Sequence, residues 1–281
     1  MKNLRAYSDS TFDFHKSVIS KKSTTKDDPD FKIRASSYNN DIETCLENYD
    51  EKFNVNKLEE LIEYGYSGNE KDTLHKLYRY KASVFQKLKV KITTRDGNII
   101  DNICQNCTIS EVNSFDHVLP KEDFSEYVVN PKNLFPSCTK CNSYKSTVWV
   151  KNGKRAFLNL YKDILPEVQY LFVDVQIDAN DLNLTYSVSN INCINIDLYN
   201  LIYNHYDKLH LCQRFKENSD LVVSELENEI YGYKAVLSID IIKQVIVGNC
   251  STDKEIYGHN YWKSILKLAL LNNSIYMNKF L

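Results

Sequence analysis

Cys104-Gln-Asn-Cys107 and Cys138-Thr-Lys-Cys141 are two CxxC pairs with 30 residues between them. In each pair both sulfurs can turn toward one metal ion. Two such knuckles complete a tetrahedral Zn²⁺ site with bonds of about 2.3 Å and no open position. An ion held in this way is structural, and in small zinc-finger domains its binding is worth on the order of 10–16 kcal/mol of folding free energy. Here it would pin the two ends of the 104–141 segment together. The alternative for the same residues is a set of four buried or redox-active thiols.

Inside this clamp lie polar residues that a zinc staple alone does not require: Asp116-His117, then Asn133, then Asn142 directly after Cys141, and Lys145 three residues further on. An acid beside a histidine is either a surface ion pair or a metal ligand next to a general base. An imidazole with an ordinary pKa of about 6.5 can accept a proton from water at neutral pH. "SFDHV" has the pattern of a strand, "LPKEDFSEYVVNPK" of a long hairpin loop, "NLFPSC" of the return strand and "TKCNSYKSTVW" of a helix. Neighbours on a regular strand point to opposite faces, so Asp116 and His117 need a strand end or a bulge to meet one helix. Asn142 falls near the start of that helix, where the dipole and free N–H groups favour an anionic phosphate.

The two CxxC pairs, "FDHVLPK", "NPKNLFPSC" and "CNSYK" resemble the HNH endonucleases, the ββα-metal nucleases, of the four-cysteine zinc type. The resemblance covers about 105–150 and weakens across 151–175. It implies a general base at His117, one divalent metal (Mg²⁺ or Mn²⁺) held by Asp116 and Asn142, and a catalytic contribution from Asn133, which ties the hairpin and orients His117. The third position of the motif is often a second histidine. Asn142 in its place matches the HNN variants and argues for a hard, oxygen-bound metal. Lys145 would bond the scissile phosphate, and Lys121 and Lys132 would track the nucleic-acid backbone. The implied reaction is metal-dependent hydrolysis of phosphodiester bonds, with DNA ahead of RNA as substrate. The same motif form resembles HNH proteins that accompany ATPases in Septu-like antiphage defence, which implies an ATPase partner docked on the helical flanks. Two rival readings are an RNA-cleaving nuclease using the same site, for example on tRNA, and a non-catalytic zinc-binding module in which Asp116, His117 and Asn142 are inert.

The elements that must position these residues come from a chain of 281 residues with 43% hydrophobic and 26% charged residues, an ordinary balance for a globular protein with a real core. Its net charge of −2 hides an asymmetry: 71–155 is net positive by 7 and the remainder net negative by 9. A basic centre between acidic flanks suits a polyanionic partner; a solvated Lys-rich helix is the plainer explanation. No run of 18 or more apolar residues is present, so no membrane span is expected. The N-terminus lacks the apolar region of a secretory signal, and a cytoplasmic location with reduced thiols follows as the expectation. The chain has no Gly-rich phosphate loop, so any ATP-driven step needs a separate subunit.

Residues 1–38 read as polar and irregular, 41–65 as one or two short helices, and 70–89 as a basic amphipathic helix. "ITTRDGNIID" reads as a hairpin turning at Asp96-Gly97, and "LFVDVQID" and "LTYSVS" as two strands. Helices are expected over 193–235, 238–247 and the tail from Tyr261. The expected class is α+β, mainly helical, with a zinc-stapled ββα-metal (HNH) module in the middle. The expected division is 1–91 helical with the basic helix, 92–150 the nuclease module, and 151–281 mostly helical and partner-docking. His15, His75, His205, His210 and His259 lack a second ligand at metal spacing. Cys45, Cys193, Cys212 and Cys250 read as small buried hydrophobes.

Overall fold

The structure is a computed structural model and describes residues 1–151, 153–178 and 181–281. Helix takes 52% of the chain and strand 13%, the latter in small antiparallel sheets, which makes the protein α+β and mainly helical. The chain divides into two compact units. One comprises Asn3–Gln105 and Ser110–Ile164; the other comprises Met1–Lys2, Asn106–Ile109 and Leu165–Leu281. The sequence-based boundaries after 91 and 150 both lie inside the first unit.

The first unit begins with five helices: α1 (Thr11–Lys21), α2 (Phe31–Ser37), α3 (Asn39–Asn54), α4 (Gly68–Leu77) and α5 (Ser83–Thr93). Helix α1 lies in the segment whose polarity suggested a loop. It forms because Ser10 caps it, its side chain accepting from the Asp13 amide at 3.0 Å, and because Phe14, Val18 and Ile19 bury one stripe. The single helix expected over 70–89 is instead two. The chain leaves α4 at Tyr78, whose backbone is extended, and re-enters helix after Ala82. The apolar spacing continues through this break and conceals it: Leu74, Leu77, Phe85 and Leu88 are all buried. A short hairpin, β1 (Thr94–Arg95) with β2 (Ile99–Ile100), turns through Gly97 at φ +79°, a conformation that glycine reaches without cost.

The central hairpin pairs β3 (Ser114–His117) with β4 (Leu134–Ser137), placing Asp116 opposite Phe135 and His117 opposite Leu134. Every residue of both strands is buried. Helix α6 (Thr139–Lys145) follows at once and packs on β3. A two-residue hairpin, β5 (Val150–Lys151) with β6 (Lys154–Arg155), comes after it. The unit is sealed by Phe85, Phe115, Tyr49 and Tyr127, all 1% exposed or less. Burying a side chain of this kind contributes roughly 1.5–3 kcal/mol.

In the second unit, β7 (Leu171–Asp178) and β8 (Asp181–Val188) form a long antiparallel ribbon. Six helices follow: α7 (Ile196–Lys208), α8 (Leu211–Glu217), α9 (Ser219–Lys234), α10 (Ile239–Tyr257), α11 (Trp262–Asn272) and α12 (Ser274–Met277). Asn195 caps α7 by accepting from the amides of Asp197 and Leu198. Helix α11 packs on β7, α9 and α10, and Trp262 stacks on Phe215 with centroids 5.2 Å apart. Trp262 also donates to the Thr108 carbonyl at 3.3 Å, which ties the short 106–109 segment into this unit. Among the described residues, no helix is long and apolar enough to cross a membrane.

Candidate active site and metal centre

Cys104, Cys107, Cys138 and Cys141 converge, with all four sulfurs within 4.8 Å of one another and every residue buried. A tetrahedron with metal–sulfur bonds of about 2.3 Å has edges of about 3.8 Å, which lies within that separation. Cys138 is also the N-cap of α6, its Sγ accepting from the Cys141 amide at 3.4 Å. That N–H···S contact fixes the Cys138 sulfur over the first turn of α6, the turn that carries Cys141. Four soft donors without a carboxylate fit a structural metal such as zinc.

Asp116, His117 and Asn142 line one cleft of about 480 Å³ together with Tyr78, Tyr80, Lys121, Ser146 and Thr147. The two strand neighbours reach the same cleft because His117 is the last residue of β3, where strict alternation ends. His117 Nε2 donates to the Val128 carbonyl at 3.0 Å. A carbonyl only accepts, so Nε2 carries the proton and Nδ1 keeps its lone pair. Tyr78 packs edge-on against the imidazole, with centroids 4.9 Å apart.

Asn133 is fully buried and stitches the hairpin loop together. Its Oδ1 accepts from the Leu119 amide at 2.8 Å, and its Nδ2 donates to the carbonyls of Leu119 at 3.1 Å and Tyr127 at 3.2 Å. Leu119 lies two residues after His117, and Tyr127 directly precedes Val128. The side chain therefore holds both the strand that carries the imidazole and the carbonyl that orients it.

Asn142 donates from Nδ2 to the Phe115 carbonyl at 3.2 Å, which leaves its amide oxygen as the atom a cation could use. Asp116 is buried, and its Oδ1 accepts from Lys145 Nζ at 3.0 Å. Burial pushes the Asp116 carboxyl up, against the pull of that ammonium. The carboxylate also accepts from the His117 backbone N–H, and its second oxygen is the atom a cation would take beside these bonds. One carboxylate and one amide oxygen at a cleft wall are hard donors that fit Mg²⁺ or Mn²⁺ with water completing the shell.

Several residues sit differently from their sequence-based roles. Lys145 is 6% exposed, bonds to Asp116 and does not line the cleft. Lys132 does not line the cleft; its ammonium pairs with Asp50 at 2.9 Å. Lys121 does line it, about half of its side chain exposed and 3.6 Å from Glu122. The start of α6 is not a free anion site: the Thr139 amide donates to Asn113 Oδ1 at 2.7 Å and the Cys141 amide to Cys138 Sγ. His117 does not keep an ordinary basicity, since burial pulls its pKa down to about 3, with Lys145, Lys121 and His75 adding to the fall against the Val128 bond. Cys193 is exposed, unlike the buried Cys45 and Cys250.

Tyr78 and Tyr80 were missed as site residues because the periodicity placed them inside a helix. Tyr78, with an extended backbone, and Tyr80, in the turn that follows, belong to the break between α4 and α5 and line the cleft from there. The signal that could have found them is "YRYK" itself, where two aromatics alternate with two cations. Comparison with protein-family models, with curated proteins and with solved structures returns no match to this chain.

Proposed function

We propose that the protein is an endonuclease of the HNH type that hydrolyses phosphodiester bonds in nucleic acid, DNA ahead of RNA. The observation that carries the reading is the shared cleft of Asp116, His117 and Asn142, framed by the cysteine cluster that continues into α6. His117, unprotonated at neutral pH and turned by the Val128 carbonyl, presents Nδ1 to an attacking water. Asn133 keeps that geometry through the loop. Asp116 and Asn142 would hold a divalent ion, which would supply charge stabilisation to the phosphate and the leaving oxygen. Lys121 on the cleft wall meets the backbone electrostatically, so binding weakens with salt. A pKa of about 3 makes His117 a reluctant proton acceptor; an anionic phosphate in the cleft opposes that effect.

On the motif resemblance alone, the proposal extends to antiphage defence with an ATPase partner, the helical second unit being its docking surface. The test is a nicking assay on supercoiled plasmid with Mg²⁺ or Mn²⁺, run in parallel on structured RNA. Cleavage that chelation abolishes and His117→Gln removes is the expected result. No cleavage of either substrate, or full cleavage by His117→Gln, sinks the reading. The Lys145 ammonium on Asp116 and the low basicity of His117 favour a non-catalytic zinc module, because an acid paired in this way needs no metal to be stable.

A further inference from the structure

One ammonium makes two bonds to consecutive residues of β3. Lys145 Nζ donates to Asp116 Oδ1 at 3.0 Å and also to the His117 backbone carbonyl. Asp116 and His117 are among the residues that line the cleft; Lys145 is not. Its ammonium lies 5.9 Å from the ring of Phe157, which is itself buried. The cation therefore reaches the pair from the Phe157 side rather than from the cleft.

This placement separates two roles that a lysine beside a metal ligand can have. A lysine occupying the metal's own position sits in the cleft and leaves when the ion arrives. A lysine that supports the ligand holds one oxygen from behind and stays. Lys145 has the second geometry, and its bond to the His117 carbonyl gives it a partner that metal binding does not remove. The Asp116 carboxylate also accepts from the His117 backbone N–H; without Lys145 that bond alone restrains its terminal torsion, which is a broad and soft one.

Resting on the nuclease reading above, we propose that Lys145 is a positioning residue: it locks the Asp116 carboxylate to the backbone of His117, so that the second oxygen faces the cleft to receive a divalent cation. The charge of Lys145 by itself opposes a nearby dication, so a purely electrostatic role and a positioning role predict opposite signs for its removal.

The experiment counts free Mn²⁺ by electron paramagnetic resonance during titration of the full chain as wild type, Asp116→Asn and Lys145→Met. Wild type binds Mn²⁺, Asp116→Asn loses that binding, and Lys145→Met binds at least tenfold more weakly with its cysteine-bound metal content unchanged. Equal or tighter Mn²⁺ binding by Lys145→Met overturns the proposal while leaving the nuclease reading intact. Wild type without Asp116-dependent binding overturns both. Should Lys145→Met fail to fold, the wild type decides through the ¹⁵N resonance of the Lys145 ammonium under Mg²⁺ titration. Retention of a slowly exchanging signal supports a lysine that stays in place, and its loss overturns the proposal.

Discussion

The donors of the cysteine cluster and of the Asp116–His117 cleft come from the same stretch of chain, between 104 and 142, yet they are spent differently. In the cluster four soft sulfurs converge on one point at 0–1% exposure, and no side of it opens to the cleft. In the cleft the polar groups are each half-engaged by the protein. Asp116 gives one oxygen to Lys145, Asn142 gives its N–H to Phe115, and His117 gives Nε2–H to Val128. A centre whose donors all point inward can hold a metal and stabilise a fold. A centre whose donors are fixed at one atom and left available at another can bind and exchange.

If that contrast is right, damage to the cluster unfolds and damage to the cleft disarms. The largest effect is expected from Cys138→Ser, which removes one of the four sulfurs while leaving a residue that can still cap α6. Bound zinc falls from one equivalent to near none, and the cooperative melt is lost, since metal binding worth on the order of 10 kcal/mol rivals the whole stability of a domain. Elemental analysis and circular dichroism check this, and a variant that melts like wild type breaks the contrast. Next comes His117→Gln, expected to lower Mg²⁺-dependent cleavage by roughly 10²–10⁴-fold while keeping zinc content.

Asn133→Ala should fall between the two kinds of damage. Three bonds to Leu119 and Tyr127 are lost in a fully buried place, so a destabilisation of about 3 kcal/mol in urea titration is expected along with weaker cleavage. A comparable effect is expected from pH, at a site far from either centre in sequence. His15 is buried in α1, and burial pulls its pKa down from 6.5 to about 4. The unfolded chain takes up a proton that the folded chain refuses as pH falls from about 6.5 to about 4. Stability is thus intact above that window and is lost across it, by up to about 3 kcal/mol. His15→Leu should flatten the slope of urea midpoint against pH, and an unchanged slope rules the assignment out. The smallest effect separates two lysines. Lys121→Ala should reduce the salt dependence of nucleic-acid binding by about one charge. Lys132→Ala, whose ammonium is held by Asp50, should leave it unchanged.

Much of the motif region was legible because its signals are local. CxxC spacing, the hairpin strands around Asp116 and Asn133, the helix after Cys138 and the Asp96-Gly97 turn each depend on a few adjacent residues. The helix over 11–21 was not legible, since its polar composition outweighed a short apolar stripe at Phe14, Val18 and Ile19. Nor was the break at Tyr78, where residues on either side keep the helical spacing of buried positions. The lysines show the same limit from another side. Lys121, Lys132 and Lys145 are alike in sequence, and only their partners tell them apart.

The types and spacing of the residues by themselves determined that two cysteine pairs close on one another, that the chain is α+β and mainly helical, and that an acid, an imidazole and two amides fall within one short segment. Tertiary structure alone decided which of those groups share a cleft, which atom of each is already spent, and which lysine faces solvent. The physical reason is that a ligand's identity is a property of the residue, whereas its availability depends on hydrogen bonds and burial supplied by parts of the chain distant in sequence.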